Sequence, residues 1–205
     1  MVDMQEYFCR DDSAFARGFA ALLPDESKWY HEQVRIQVIP TIALLIKRAR
    51  AAGALVVFTE FGSREADGSD LPVWARRHNE VVGAIAGSRV YPPLSEPESR
   101  VVGELEPLEG DLVVQKNTSG PLAGTDLAEK LRERGVARVI ATGVTTNVCV
   151  LGMARELADS DFDVCVVSDA CGTFGEGWQK ATLEAGVPVF ASVVSSDELE
   201  DWLLL

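Results

Sequence analysis

The sequence predicts an α/β fold: a three-layer α/β/α sandwich around a six-stranded, mainly parallel, doubly wound sheet. Two observations carry this. Five short runs rich in Val and Ile read as strands: ALVVFT at 54–59, DLVVQ at 111–115, ARVIA at 137–141, FDVCVV at 162–167 and VPVFASVV at 187–194. Continuous apolar runs of this kind fit strands buried on both faces of a parallel sheet. Helical segments alternate with them, and alternating β and α units imply right-handed crossovers that cover both faces.

The elements follow in order. The chain opens Met1-Val2-Asp3, so a first strand has almost no residues before Asp3. Either the sheet carries a stub at its centre or the chain starts upstream of Met1. Residues 27–52 read as a helix, kinked or broken at Pro40, with Gly53 as its C-terminal stop. Residues 61–110 are a long Gly-, Pro- and charge-rich insertion between strands, including FGSREADGSDLPVWARRHNE and SRVYPPLSEPESR. Long ordered insertions serve as lids or substrate loops, and the plainer reading is a surface excursion. A helix over 127–134 has Thr125 or Asp126 as N-cap and Gly135 as terminator. Further helices are expected from Thr146 to about Ser160, and from Glu176 to about Ala185 before Gly186. Ser195 and Glu198 form an S-x-x-E capping box that opens the last helix. With 205 residues the chain suits one domain, 1–205, with a lid-like insertion at about 61–110.

Composition narrows the function. Nineteen Lys and Arg face 32 Asp and Glu, a formal charge of −13, whereas duplex-binding surfaces are basic and anionic membranes attract basic segments. No nucleic acid or membrane partner is expected. No apolar run approaches the roughly 18 residues of a membrane span, and MVDMQEYFCRDD lacks the features of a signal peptide. The four cysteines, Cys9, Cys149, Cys165 and Cys171, contain no CxxC pair and make no disulfide scaffold, which points to a reducing, cytoplasmic setting.

In an open α/β sheet, ligands bind beyond the carboxyl ends of the strands. The polar residues at those ends are Asp3, Glu60, Lys116, the string GVTTNVC at 143–149, and Asp169. Cys149 falls in the first turn of a helix, where free amides and the helix dipole favour a thiolate. A lysine at a neighbouring strand end favours it further, and a carboxylate can take the thiol proton. Asp3, Lys116 and Cys149 therefore make an acid–base, cation and nucleophile set. The competing reading is packing, because free cysteines are among the most buried residues. Cys165, within a strand, fits that reading; Cys171 and Cys9 are loop candidates. A Cys–His pair would have to use His31 or His78, and two histidines without a cysteine pair do not make a zinc site. GxxxxGK[ST], strand-linked GxGxxG and GxSxG are all absent.

The opening VDMQEYF, Lys116 after DLVVQ, and GVTTNVCV, together with GTDLAEKLRERGVARVIATGVTTNVCV and VVSDACGTF, resemble the isochorismatase-like cysteine hydrolases over nearly the whole chain. The resemblance implies a catalytic Asp3-Lys116-Cys149 triad. It also implies a cis peptide between Val144 and Thr145, and an oxyanion hole from the Thr145 and Cys149 amides. The Asp-x-His metal motif of the nicotinamidase branch is missing from Phe61-Gly62-Ser63-Arg64, so no metal, no cofactor and no nicotinamide are expected. The branch active on isochorismate lacks the cysteine, which is present here. Relatives place a histidine near Trp178 and an aromatic soon after the lysine; this chain has neither, reading KNTSGPLAG after the strand. Phe8, Arg64, Trp74 and Asn117 are candidate substrate contacts, each with a packing or surface role as the alternative. The resemblance also implies a homo-oligomer, a dimer or tetramer.

The expected activity is metal-independent cleavage of a C–N bond in a small amide, ureide or N-carbamoyl compound through an acyl- or carbamoyl-enzyme on Cys149. Two alternatives stay open: hydrolysis of another bond type, such as an ester or vinyl ether, and a catalytically silent small-molecule-binding domain.

Overall fold

The computed structural model describes residues 1–204. Its strands are β1 (Val57–Phe61), β2 (Leu112–Lys116), β3 (Arg138–Val144), β4 (Asp163–Gly172) and β5 (Ser192–Val194). All their pairings are parallel, β2 with β1 on one side and β3-β4-β5 on the other. Val2 alone stands between the two groups, bridging Thr59 of β1 and Gly143 of β3. Its N–H donates to Thr142 O at 2.7 Å and its carbonyl accepts from Val144 N–H at 3.0 Å. The expected six strands are therefore five among the described residues, with a single residue in the central place. The reason is local: Asp3 has φ +50°, which turns the chain out of strand geometry directly after Val2.

β4 shows why the sheet is buried on both faces. Cys165 and Val167 join one apolar cluster and Val164 and Val166 the other, the alternation a strand imposes. The first cluster is covered by helices α1 (Glu6–Cys9), α2 (Ala14–Leu22), α3 (Pro24–Gln33), α4 (Ile39–Ala51) and α5 (Val73–Ala86), and by the C-terminal α9 (Leu199–Leu203). The second is covered by α6 (Leu127–Glu133) and α7 (Leu151–Ala158); α8 (Glu176–Ala181) has no buried residue.

Three expectations change. The helix over 27–52 is not broken at Pro40. A π-helical turn at Val34–Val38 joins α3 to α4, and Ile39 N–H donates to Val34 O. The wider turn falls where the missing Pro40 N–H and its ring would disturb an α-helical ladder. The run at 187–194 is strand only over β5, because Val187–Val189, with Pro188, forms a 3₁₀ turn. Ser195 does not cap a helix directly: its N–H and Oγ both donate to Glu198 Oε2 at 2.9 Å, and α9 begins only at Leu199. The 61–110 insertion holds an unforeseen helix, α5, packed on α2 where Gly18 leaves room for Val82.

Candidate active site

Asp3, Lys116 and Cys149 meet at the carboxyl ends of the central strands. Asp3 and Lys116 are fully buried and Cys149 is 3% exposed. The Asp3 carboxylate accepts from Thr59 Oγ1 at 2.6 Å through Oδ1 and from Lys116 Nζ at 2.7 Å through Oδ2. Lys116 Nζ also donates to Thr118 O at 3.0 Å and Ser119 O at 3.1 Å. All three ammonium hydrogens thus have acceptors, which lets a charge sit in so dry a place. Burial pushes the Lys116 ammonium towards its neutral form, but Asp3 and the Cys149 sulfur outweigh it, and its pKa is raised.

Cys149 lies in a π-helical turn, Thr146–Val150, entered through the cis Val144–Thr145 peptide. The amides of Val148 and Val150, on either side of it, donate to Thr145 O. Side chains pin the turn: Thr146 Oγ1 donates to Gln179 Oε1 at 2.7 Å, Gln179 Nε2 to Cys171 O at 2.9 Å, and Thr173 Oγ1 to Asn147 Oδ1 at 2.6 Å. Burial pushes the Cys149 thiol well up; Lys116 and the Thr145 amide favour the thiolate, while Asp3 favours the thiol. Charge accounting agrees with the direction. Asp3 and Lys116 already neutralise each other, so ionising Cys149 would add an unbalanced charge to a buried site. At rest Cys149 is a thiol with the Asp3 carboxylate beside it.

An aromatic wall adjoins this set. The Phe61 ring lies 5.0 Å under Lys116 Nζ, stacks on Trp74 at 5.6 Å, and meets Tyr91 edge-on at 5.3 Å. Phe8 packs on both Phe61 and Tyr91, so the structure gathers the two candidate contacts, Phe8 and Trp74, into one ring cluster beside Lys116. Arg64 and Asn117 are engaged elsewhere. The Arg64 guanidinium donates to Gln115 O at 3.2 Å and Gly124 O at 3.4 Å, along a cleft of about 490 Å³ outside β2. Asn117 Nδ2 donates to Asp70 O at 2.9 Å. The other two carboxylates expected just after strands lie within them: Glu60 in β1 accepts from Gln115 Nε2, and Asp169 in β4, which runs on to Gly172, holds Ser196. His78 Nδ1 is 3.0 Å from Tyr91 Oη and His31 Nδ1 is 2.8 Å from Ser27 O, so neither histidine pairs with Cys149. Among the described residues, no three His, Cys, Asp or Glu side chains form a metal-holding group.

Two residues escaped the sequence reading. Gln5 is fully buried; its Oε1 accepts from Phe61 N–H at 2.8 Å, and its Nε2 donates to Phe61 O at 2.9 Å and Ser99 O at 2.6 Å. Its amide replaces the strand that ends at Val2 and holds the end of β1 on the side away from Lys116. The signal was its place two residues after Asp3, within a motif otherwise read only for the acid. Gln179, which braces the Cys149 turn, carried no signal, since it lies thirty residues beyond Cys149 on an exposed helix.

The fold and the strand-end set define a class. The profile of the Isochorismatase domain matches residues 1–198, and the chain belongs to that family. It is 30% identical to the ureidoacrylate amidohydrolase RutB of Variovorax paradoxus over 172 residues, 78% of this chain and 66% of that one. It therefore spans just under two thirds of that relative's length. It is also 30% identical to nicotinamidase 3 of Arabidopsis thaliana, over 90% of this chain and 89% of that one. An isochorismatase family protein from Desulfovibrio vulgaris superposes over 100% of this chain and 96% of its own, with TM-score 0.79 and 26% identity. The N-carbamoylsarcosine amidase of Thermoplasma acidophilum shares the fold at TM-score 0.66 and 23% identity, over 97% and 95% of the two chains.

Proposed function

We propose that this protein is a metal-independent cysteine hydrolase that cleaves a C–N bond of a small amide, ureide or N-carbamoyl compound through a covalent intermediate on Cys149. The observation that carries this reading is the buried Asp3–Lys116 ion pair, at 2.7 Å, set beside a thiol whose sulfur also feels the Thr145 amide. Asp3 takes the Cys149 proton as sulfur attacks the carbonyl carbon and a C–S bond forms. The carbonyl oxygen becomes an oxyanion held by the Thr145 and Cys149 amides, each such donor contributing about 3–4 kcal/mol. The intermediate collapses, the C–N bond breaks, and the departing nitrogen takes the proton back from Asp3. Water then attacks the thioester or thiocarbamate, Asp3 accepting its proton, and the thiol is restored. Lys116 stays protonated throughout and keeps the Asp3 carboxylate in place.

The relatives named ureidoacrylate amidohydrolase and nicotinamidase support C–N cleavage over ester or vinyl ether hydrolysis. The same reading takes the protein as a cytoplasmic homo-oligomer, dimer or tetramer, with no nucleic-acid or membrane partner; among the described residues, no helix is long and apolar enough to cross a membrane. The test is release of ammonia or amine from a panel of small amides, ureides and carbamoyl compounds by the native protein and by Cys149→Ala. Turnover that disappears in the variant, with unchanged circular dichroism, is expected. Full turnover by Cys149→Ala or Cys149→Ser would end the proposal, and inactivity of the native protein on every compound would favour a silent binding domain.

A further inference from the structure

We propose that Glu156 is a positioning residue for this site: its carboxylate fastens the loop that holds Lys116 to the helix that carries Cys149. The inference rests on the Cys149 reaction proposed above and adds to it a residue that touches none of the reacting atoms.

Lys116 depends on the chain just after β2. Two of its three acceptors, Thr118 O at 3.0 Å and Ser119 O at 3.1 Å, are backbone carbonyls of that loop. A buried ammonium keeps its charge only while such acceptors stay in place. The loop is tied to itself over these residues, since Thr118 Oγ1 donates to Gly120 O at 2.9 Å. It rests on α7, which follows directly from the Thr146–Val150 turn. Gly152 and Glu156, four residues apart and so on one face of that helix, form the seat. A Cβ at Gly152 would lie 3.3 Å from Gly120 N and 3.4 Å from Ser119 C, so the backbones of loop and helix are in close contact there. Glu156 Oε2 accepts from Leu122 N–H at 2.6 Å. A Cβ at Gly120 would run into the same carboxylate, so glycine is what leaves room for it.

No ion pair accounts for where Glu156 lies, because among the described residues no cation comes within ion-pair distance of it. Its charge still reaches the site. Burial disfavours the Lys116 ammonium, Asp3 and the Cys149 sulfur outweigh that, and Glu156 adds to them from α7. The helix therefore leads out of the Cys149 turn at one end and fixes the cation's acceptors from its side. One rigid element sets the spacing of the ammonium, the Asp3 carboxylate it holds and the thiol. A misplacement of about 1 Å in such a set costs up to about a hundredfold in rate.

Three variants separate the bond from the charge. Glu156→Ala removes both. Glu156→Gln removes the charge and keeps an oxygen for Leu122 N–H. Gly120→Ala displaces the carboxylate and leaves α7 unaltered; only the end of a flexible side chain has to move, so this variant stays folded. Turnover is measured on the best compound of the amide panel. Labelling of Cys149 by iodoacetamide at one fixed pH is read at its peptide by mass spectrometry. We expect Glu156→Ala and Gly120→Ala to lower kcat by about tenfold or more with KM within about threefold. Labelling should slow in step, because a displaced Lys116 favours the thiolate less. Glu156→Gln should recover most of both. A merely structural brace would lower the melting temperature and leave kcat per folded molecule and labelling unchanged, and that result overturns the inference. Faster labelling, or a Gln variant as impaired as the Ala variant, overturns it as well. The expected order of labelling rates with no turnover by the native protein would overturn the proposed reaction and leave the brace standing. A native Cys149 that is neither labelled nor active overturns both.

Discussion

The strand-end set and the 61–110 segment meet at Lys116, where the ammonium rests over the Phe61 ring, yet they are held by different forces. On the strand side, Asp3 and Lys116 are fixed by short directional bonds to one another, to Thr59 and to backbone carbonyls. On the segment side, Trp74 meets Phe61 and Tyr91 through rings, Tyr91 Oη pairs with His78 Nδ1, and the Asn79 amide brackets the Tyr91 backbone without touching its ring. Directional bonds fix the positions that proton transfer and nucleophilic attack require. Ring packing fixes a shape and a polarity while tolerating small displacements. Under the proposed function, the strand side would set the reaction and the ring side the substrate choice, so the two could change independently.

The sharpest way to break the strand side is Gly143→Ala. Gly143 has φ +117°, and a Cβ there would run into the Val2 backbone, which must shift and take Asp3 with it. Such a change costs at least about 3 kcal/mol. Loss of soluble folded protein, or a large fall in melting temperature with no turnover, is the expected outcome; an unchanged melt would mean that the Val2 bridge does not hold the centre of the sheet.

Lys116→Met comes next. It leaves the buried Asp3 carboxylate unpaired, a loss of about 3–5 kcal/mol by urea unfolding, and it lowers turnover by about a thousandfold. Adding Asp3→Asn should recover much of the stability and none of the activity, because the unpaired charge goes but the base goes with it. Equal stability of the single and double variants would argue against a coupled pair.

The smallest effects should fall on the segment side, and they sharpen the comparison. Trp74→Ala removes one ring from the wall and should raise KM about tenfold with little change in kcat. Arg64→Ala, outside the wall, should change either constant by no more than about twofold. A large KM effect from Arg64 would place substrate on the outer cleft instead.

Much of the strand side was legible from residue types. The runs at 111–115, 137–141 and 162–167 begin within one residue of β2, β3 and β4, and the run at 54–59 overlaps β1 only at 57–59; Lys116 and Cys149 follow two of these runs, and Asp3 follows the Met1-Val2 stub. The segment was less legible. Trp74 and Phe8 were identifiable as candidate contacts, but not the stack that joins them to Phe61 and Tyr91, since rings far apart in sequence leave no periodic trace. Helix α5 was missed because its sequence, VWARRHNEVVGAIA, sits between Gly- and Pro-rich stretches and buries few residues. Gln5 was passed over because its role depends on the strand beside it being absent.

The sequence by itself determined the layered α/β class, the family, and the residue types at the strand ends, because these follow from local hydrophobic pattern and from motifs read in order. Only the tertiary structure decided that Val2 would be a one-residue stand-in for a strand and that Gln5 would complete the β1 edge. It also decided that Lys116 would have no hydrogen to spare and that Arg64 would turn away. Each of these depends on which backbone carbonyls and carboxylates arrive beside a side chain from distant parts of the chain, and that is settled by packing rather than by any local pattern.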